Sequence, residues 1–174
     1  DYASAWEPLK KAADKQVAGA QRLIAYYYLN GYAPAIKNAK KALKWFERAA
    51  QKNDAIAQYE LGDMYDNRIG VMQRSLNKAE YWYERAAELG NADAQFALGW
   101  YSEMGESAKP DLAEAYAWYY LAARQGDIRA NKKLEDFQHQ LSAEEISHAV
   151  EIAEQFSLGG RKLVASKKQN QTNK

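Results

Sequence analysis

Apolar positions along the chain recur every three to four residues, the spacing of amphipathic helices rather than strands. Ala57, Leu61 and Tyr65 share one helical face through their i, i+4, i+8 spacing. The same set returns as Ala94, Leu98 and Ser102, and earlier as Ala20, Ile24 and Tyr28. Beside each set stands a small residue (Gly62, Gly99 or Ala25), which would let a neighbouring helix approach closely. A turn follows, marked by Gly31 and Gly105, with Arg68 in the equivalent slot and Gly70 two places on. A second helix then opens at Asn38, Ser75 or Asp111. These are three residue types with one shared property, a side-chain oxygen that can accept a bond from the unpaired N–H groups of a first helical turn. Ala42–Ala50, Ala79–Ala87 and Ala115–Ala123 form the bodies of these second helices, with Trp45, Trp82 and Trp118 at matching positions. Asn53, Gly90 and Gly126 fall near their ends, where Gly or Asn serves as a left-handed cap.

The pattern has one period. Ala20-Gln21, Ala57-Gln58, Ala94-Gln95 and Ala130-Asn131 are spaced by 37, 37 and 36 residues. The Ala12-Ala13, Ala49-Ala50, Ala86-Ala87 and Ala122-Ala123 pairs keep the same steps. Two independent markers on one step predict a tandem array of helix-turn-helix units. The array spans residues 1–156: a leading half repeat at 1–17, units at 18–53, 54–90 and 91–126, and a terminal repeat with its cap at 127–156. Counting back from Asn38 puts Asp1 at the N-cap of a second-type helix, in which Pro8 takes the tryptophan's slot and should kink or delay the helix. A signal-cleavage site just upstream would explain that start, so the expectation is an exported, mature protein. Ser142 with Glu145 forms a capping box. Ile146, Ala149, Val150, Ala153 and Phe156 follow as an apolar stripe, the mark of a terminal helix covering the last repeat. Residues 157–174 read as a flexible basic and polar tail.

Two runs carry a family resemblance: Ala-x-x-x-Leu-Gly-x-x-Tyr at Ala57–Tyr65 and Lys-Ala-x-x-Trp-Tyr-x-x-Ala-Ala at Lys78–Ala87. The chain resembles Sel1-like repeat proteins over roughly residues 1–137; its step is longer than the 34-residue tetratricopeptide period. It departs from the usual pattern at Ser102, Arg68 and Ile24-Ala25. The resemblance implies an all-α, right-handed α-solenoid of helix-turn-helix repeats with a C-terminal capping helix. The family includes adaptors, secreted bacterial proteins and immunity proteins.

Composition narrows the function. Formal net charge is +1, so no overall basic field favours nucleic acid. No stretch approaches the roughly 20 apolar residues of a membrane span. The absence of Cys removes disulfides, thiol nucleophiles and zinc-thiolate sites. Ser75 and Lys78 match a Ser-x-x-Lys element, but the Ser-Asp-Asn and Lys-Thr-Gly elements of that chemistry are missing and Ser75 already serves as a cap. His139 and His148 have no metal-binding spacing, and no carboxylate pair is isolated for acid catalysis. The three matched tryptophans stand at the spacing of core markers, and truncating one should cost on the order of 3–5 kcal/mol.

If the helix pairs stack, the first helices line an inner concave surface. Its candidate partner-binding residues are Arg22, Tyr26 and Asn30, beside Leu29; Tyr59, Asp63 and Asp66; and Phe96, Trp100 and Glu103. Lys132, Asp136 and His139 occupy the same register in the last unit. Aromatics flanked by charges suit a protein-binding patch. The expectation is a non-catalytic scaffold or adaptor for a protein or peptide partner, needing no cofactor or metal, in the periplasm or secreted, with a cytoplasmic location as the other possibility. An immunity or inhibitor protein that neutralises one toxin is the alternative. Oligomeric state is left open.

Overall fold

The computed structural model describes residues 2–106 and 108–157. The expected N-cap at Asp1 and, apart from Ser157, the expected tail lie outside them. Among the described residues there are nine helices and no strand: α1 Tyr2–Asp14, α2 Ala18–Asn30, α3 Ala39–Ala50, α4 Ala55–Asp66, α5 Leu76–Glu88, α6 Ala92–Met104, α7 Leu112–Arg124, α8 Ile128–Phe137 and α9 Ala143–Ser157. The chain divides into two compact units, Asp1–Ala94 and Gln95–Lys174.

In the first unit, α2 pairs with α3 and α4 with α5. The core joins Ala25, Ala42, Phe46, Ala49, Ala50, Ala57, Leu61 and Met64, all sealed from solvent. A smaller cluster of Ala13, Ala20 and Ile24 lies under Trp6 and Leu9 of α1. Alanines dominate because the helices sit close together. Gly62 shows how close: a Cβ there would fall 2.5 Å from ring carbons of Tyr83 on α5.

The Ala-Gln marker has a structural cause. Gln21 Nε2 donates to the Ala13 carbonyl at 3.2 Å, and Gln58 Nε2 donates to the Ala50 carbonyl at 3.1 Å. Each buried glutamine thereby adds a second donor to a carbonyl in the last turn of the preceding helix, which already accepts from Gln16 N or Asn53 N in the turn. The chain leaves those helices through left-handed residues in one register: Gln16 (φ 64°), Asn53 (φ 60°) and Gly90 (φ 80°). Arg68 is also left-handed (φ 60°), as its place in a glycine slot requires.

In the second unit, a Cβ on Gly99 would fall 2.7 Å from the Tyr119 ring, so α6 and α7 repeat the close approach. Tyr119 and Tyr116 pack edge-on against Phe137 of α8, with centroids 5.9 and 6.3 Å away. Trp118 meets Phe156 of α9 at 5.0 Å. The capping box forms as expected: Ser142 N and Oγ donate to Glu145 Oε2 at 2.8 and 2.7 Å, and Glu145 N donates to Ser142 Oγ at 3.3 Å. Ala149 and Ala153 of α9 are buried, as a capping helix demands.

Three expectations need correction. The helix with Pro8 is not delayed; α1 runs from Tyr2 to Asp14 with the proline inside it. Its first turn is anchored by the Tyr2 ring, stacked on Tyr32 at 4.1 Å, and by the Tyr2 carbonyl, which accepts from Tyr27 Oη at 2.7 Å. Ser75 has N-cap backbone geometry, yet its hydroxyl makes no capping bond, whereas Asn38 and Asp111 accept from the N–H groups of Lys41 and Glu114. The tryptophans are not the uniform core markers. Trp45 and Trp82 are half-buried, and only Trp118, beside α9, is buried. The next residue (Phe46, Tyr83 or Tyr119) is buried in all three units.

Phe46→Ala should therefore destabilise the fold by about 3–5 kcal/mol, and Trp45→Ala by roughly half that or less, because the indole is only partly removed from water. Urea unfolding followed by far-UV circular dichroism measures both.

Candidate functional site

In the first unit the candidate residues of α2 and α4 are already cross-linked by their own side chains at the edge of the core. Arg22 Nε lies 3.1 Å from Asp54 Oδ2, and Asp54 also caps α4 by accepting from Ala57 N. Tyr26 packs edge-on against Phe46, with centroids 5.1 Å apart, and its hydroxyl donates to Glu60 Oε1 at 2.6 Å. One side chain thus runs from the core of one hairpin to a carboxylate on the next first helix. Burial, and then the Glu60 contact, raise the Tyr26 pKa, so the hydroxyl keeps its proton.

Burial likewise pushes the Glu60 carboxyl up. The Tyr26 hydrogen bond pulls the other way, while the charges of Asp63 and Asp93 add to the rise. Asp63 is raised chiefly by burial, against the hydrogen bond from Asn67, which donates through Nδ2 at 2.7 Å. Asp66 is held by Arg74 at 2.7 Å. Asn30 donates to the Tyr26 carbonyl at 3.1 Å, which closes its own helix end. Tyr59 leans on Tyr83 with centroids 5.7 Å apart.

The second unit holds the other three candidates. Glu103 accepts from the Tyr119 hydroxyl at 2.6 Å and from Lys133 Nζ at 2.8 Å. Burial and the Glu103 bond raise the Tyr119 pKa. Phe96 sits 5.2 Å from the Tyr119 ring, and the Arg129 guanidinium lies over it at 4.4 Å. Trp100 packs edge-on against Tyr101. Lys132, Asp136 and His139 are exposed on α8 and just beyond it.

Arg22, Tyr26, Asn30, Tyr59, Asp63 and Asp66 therefore lie in the first unit, and Phe96, Trp100 and Glu103 in the second. Glu60, Asp54 and Lys133 were missed by the sequence reading. The available signal for Glu60 was an acid 34 residues after a tyrosine, between equivalent turns of successive units. Among the described residues, no three His, Cys, Asp or Glu side chains gather to hold a metal ion. Lys78 Nζ lies over the Tyr65 ring at 4.9 Å.

A family model, the Sel1 repeat, matches residues 18–54, 55–91 and 92–127. The chain belongs to the Sel1 repeat family. Solved Sel1 structures agree with that assignment. A Sel1 repeat protein from Oxalobacter formigenes is 34% identical with TM-score 0.67, over 70% of this chain and 48% of its own. Protein c5321, a protective antigen of uropathogenic Escherichia coli with an SLR fold, is 26% identical with TM-score 0.74, over 92% of this chain and 34% of its own. Cysteine-rich protein B of Helicobacter pylori is 25% identical with TM-score 0.58, over 73% of this chain and 95% of its own. The chain thus spans about half the length of the first and about a third of the second. A comparison with curated proteins gave no match. The fold is an all-α solenoid of helix-turn-helix repeats with a C-terminal capping helix. Sel1 repeats mediate protein–protein interaction, and their fold is generally a non-catalytic interaction scaffold. Among the described residues no helix is long and apolar enough to cross a membrane.

The Glu60 environment gives a pH prediction. Its folded pKa lies above the unfolded one, so its contribution to stability is full below the ordinary glutamate value and is lost as pH rises through the folded value. Glu60→Gln cannot ionise and still accepts from Tyr26. The variant should be more stable than the parent at pH 7.5 in urea titrations, with the gain shrinking towards about pH 4, near the ordinary glutamate value.

Proposed function

We propose that this Sel1 repeat protein is a non-catalytic scaffold or adaptor that docks a partner protein or peptide on the concave face lined by its first helices. The first unit contributes Arg22, Tyr26, Asn30, Tyr59, Asp63 and Asp66, and the second contributes Phe96, Trp100 and Glu103. The observation that carries the reading is the cross-linking of that face: Arg22 to Asp54 and Tyr26 to Glu60 in one unit, Glu103 to Tyr119 and Lys133 in the other. Side chains fixed before the partner arrives lose little entropy on docking, and half-buried aromatics such as Tyr59 and Trp100 supply the apolar anchors that dominate interface energy. Export from a bacterial cytoplasm is part of the proposal. The bacterial sources of the three solved neighbours support the bacterial origin, and fractionation of native cells tests the export.

Tyr59→Ala combined with Trp100→Ala should abolish co-purification of partners from native cells while leaving the helical circular dichroism signal in place. Retention of every partner by the folded double variant contradicts the proposed face. A single partner held tightly, and encoded beside this gene, would favour the inhibitor role over the scaffold.

A further inference from the structure

A cleft outside the first-helix face lies where α1 and α2 meet the segment that leads into α3. Trp6, Tyr28, Pro34, Ala35 and Ile36 form its apolar walls, and Lys37, Asn38 and Lys41 complete it, enclosing about 450 Å³. Ile36 is 84% exposed, a large aliphatic side chain held in water at the mouth of the cleft.

The walls are built before any occupant arrives. Trp6 meets Tyr28 edge-on at 5.9 Å. Asn38 N donates to the Tyr28 carbonyl at 2.7 Å and Ala35 N to the Tyr32 carbonyl at 2.8 Å, which folds the segment back onto α2. Gly31 lets that happen, because its left-handed turn (φ 77°) brings the Lys37 backbone close beside it.

The charge around the cleft has one sign. Lys41 Nζ lies 5.2 Å from the centre of the Tyr28 ring, so the aromatic wall is already paired with a cation. Lys37 completes the rim, and among the described residues no Asp or Glu lines the cleft. The first turn of α3 carries no acidic residue, so the positive end of that helix adds to the field. One repeat further along the first unit the cation–aromatic pair recurs, with Lys78 over Tyr65 at 4.9 Å.

We infer that this cleft is a second docking site, taking from a partner protein an acidic segment whose one large apolar side chain enters between Trp6, Tyr28 and Ile36 while its carboxylates meet Lys37 and Lys41. An apolar side chain covers Ile36 and the indole, and flanking carboxylates complement two lysines that no acid in the cleft neutralises. A basic or neutral segment of the same shape gains the first term and forfeits the second.

The test is a titration of the full ¹⁵N-labelled chain with a blocked hexapeptide of one leucine and one glycine flanked on each side by two acidic residues. The charge-reversed hexapeptide and phosphatidylserine vesicles run alongside. The acidic peptide should shift the amides of Trp6, Tyr28, Ile36, Lys37 and Lys41, and bind more weakly at 300 mM than at 50 mM salt. Lys37→Glu with Lys41→Glu should lower its affinity on the order of tenfold or more. Tyr59→Ala with Trp100→Ala should leave it unchanged, which separates this site from the first-helix face. No shifts at millimolar peptide, equal binding of the basic peptide, shifts centred elsewhere, or preference for the vesicles would each overturn the inference.

Discussion

Tyr83 rests so close to Gly62 that a single added carbon would come within 2.5 Å of its ring, and Tyr119 rests on Gly99 in the same way. These two hairpins therefore close as an aromatic ring seated on the bare backbone of the facing helix. Glycine inside a helix costs about 1 kcal/mol relative to alanine. The ring it admits is sealed from water, and burial of that size outweighs the propensity cost. In the first hairpin Ala25 and Phe46 hold the matching positions in the repeat, both fully buried in one core cluster. There the Phe46 ring stands edge-on to Tyr26 at 87°, whereas Tyr83 and Tyr59 are tilted by only 36°.

That seating also governs the outward face. Tyr119 is fully buried, and its hydroxyl donates to the partly exposed Glu103. Tyr26 packs on Phe46 and its hydroxyl reaches Glu60. In both units the proposed docking face is tied to the interior through a tyrosine, so the position of the surface carboxylate is set by packing beneath it. The raised carboxyls of Glu60 and Asp63 owe their shift first to burial; neighbouring acids add to it, while hydrogen bonds from Tyr26 and Asn67 and, for Glu60, the Arg22 charge oppose it.

Much of the fold was legible because the repeat turns each local signal into several independent copies. Asn38 and Asp111 cap their helices, Ser142 and Glu145 form their box, and Asn53, Gly90 and Gly126 take left-handed backbones. What escaped was decided by helix rotation and by distant partners. Trp45 and Phe46 are adjacent and both aromatic, and only the packing of α3 on its neighbours decides which faces inward. The glutamine of the Ala-Gln marker was visible as a repeat, but its bond to the preceding helix end joins groups that the sequence shows eight residues apart and in different elements. Glu60 escaped for the related reason that its partner lies on the preceding first helix.

A double-mutant cycle on Gly62→Ala and Tyr83→Ala, read by urea unfolding, tests the central claim most directly. If the ring needs bare backbone, Gly62→Ala destabilises the parent by more than about 1 kcal/mol. In the Tyr83→Ala background the same change should be neutral or stabilising, because only the helix preference for alanine remains. Equal effects of Gly62→Ala in the two backgrounds would contradict the claim.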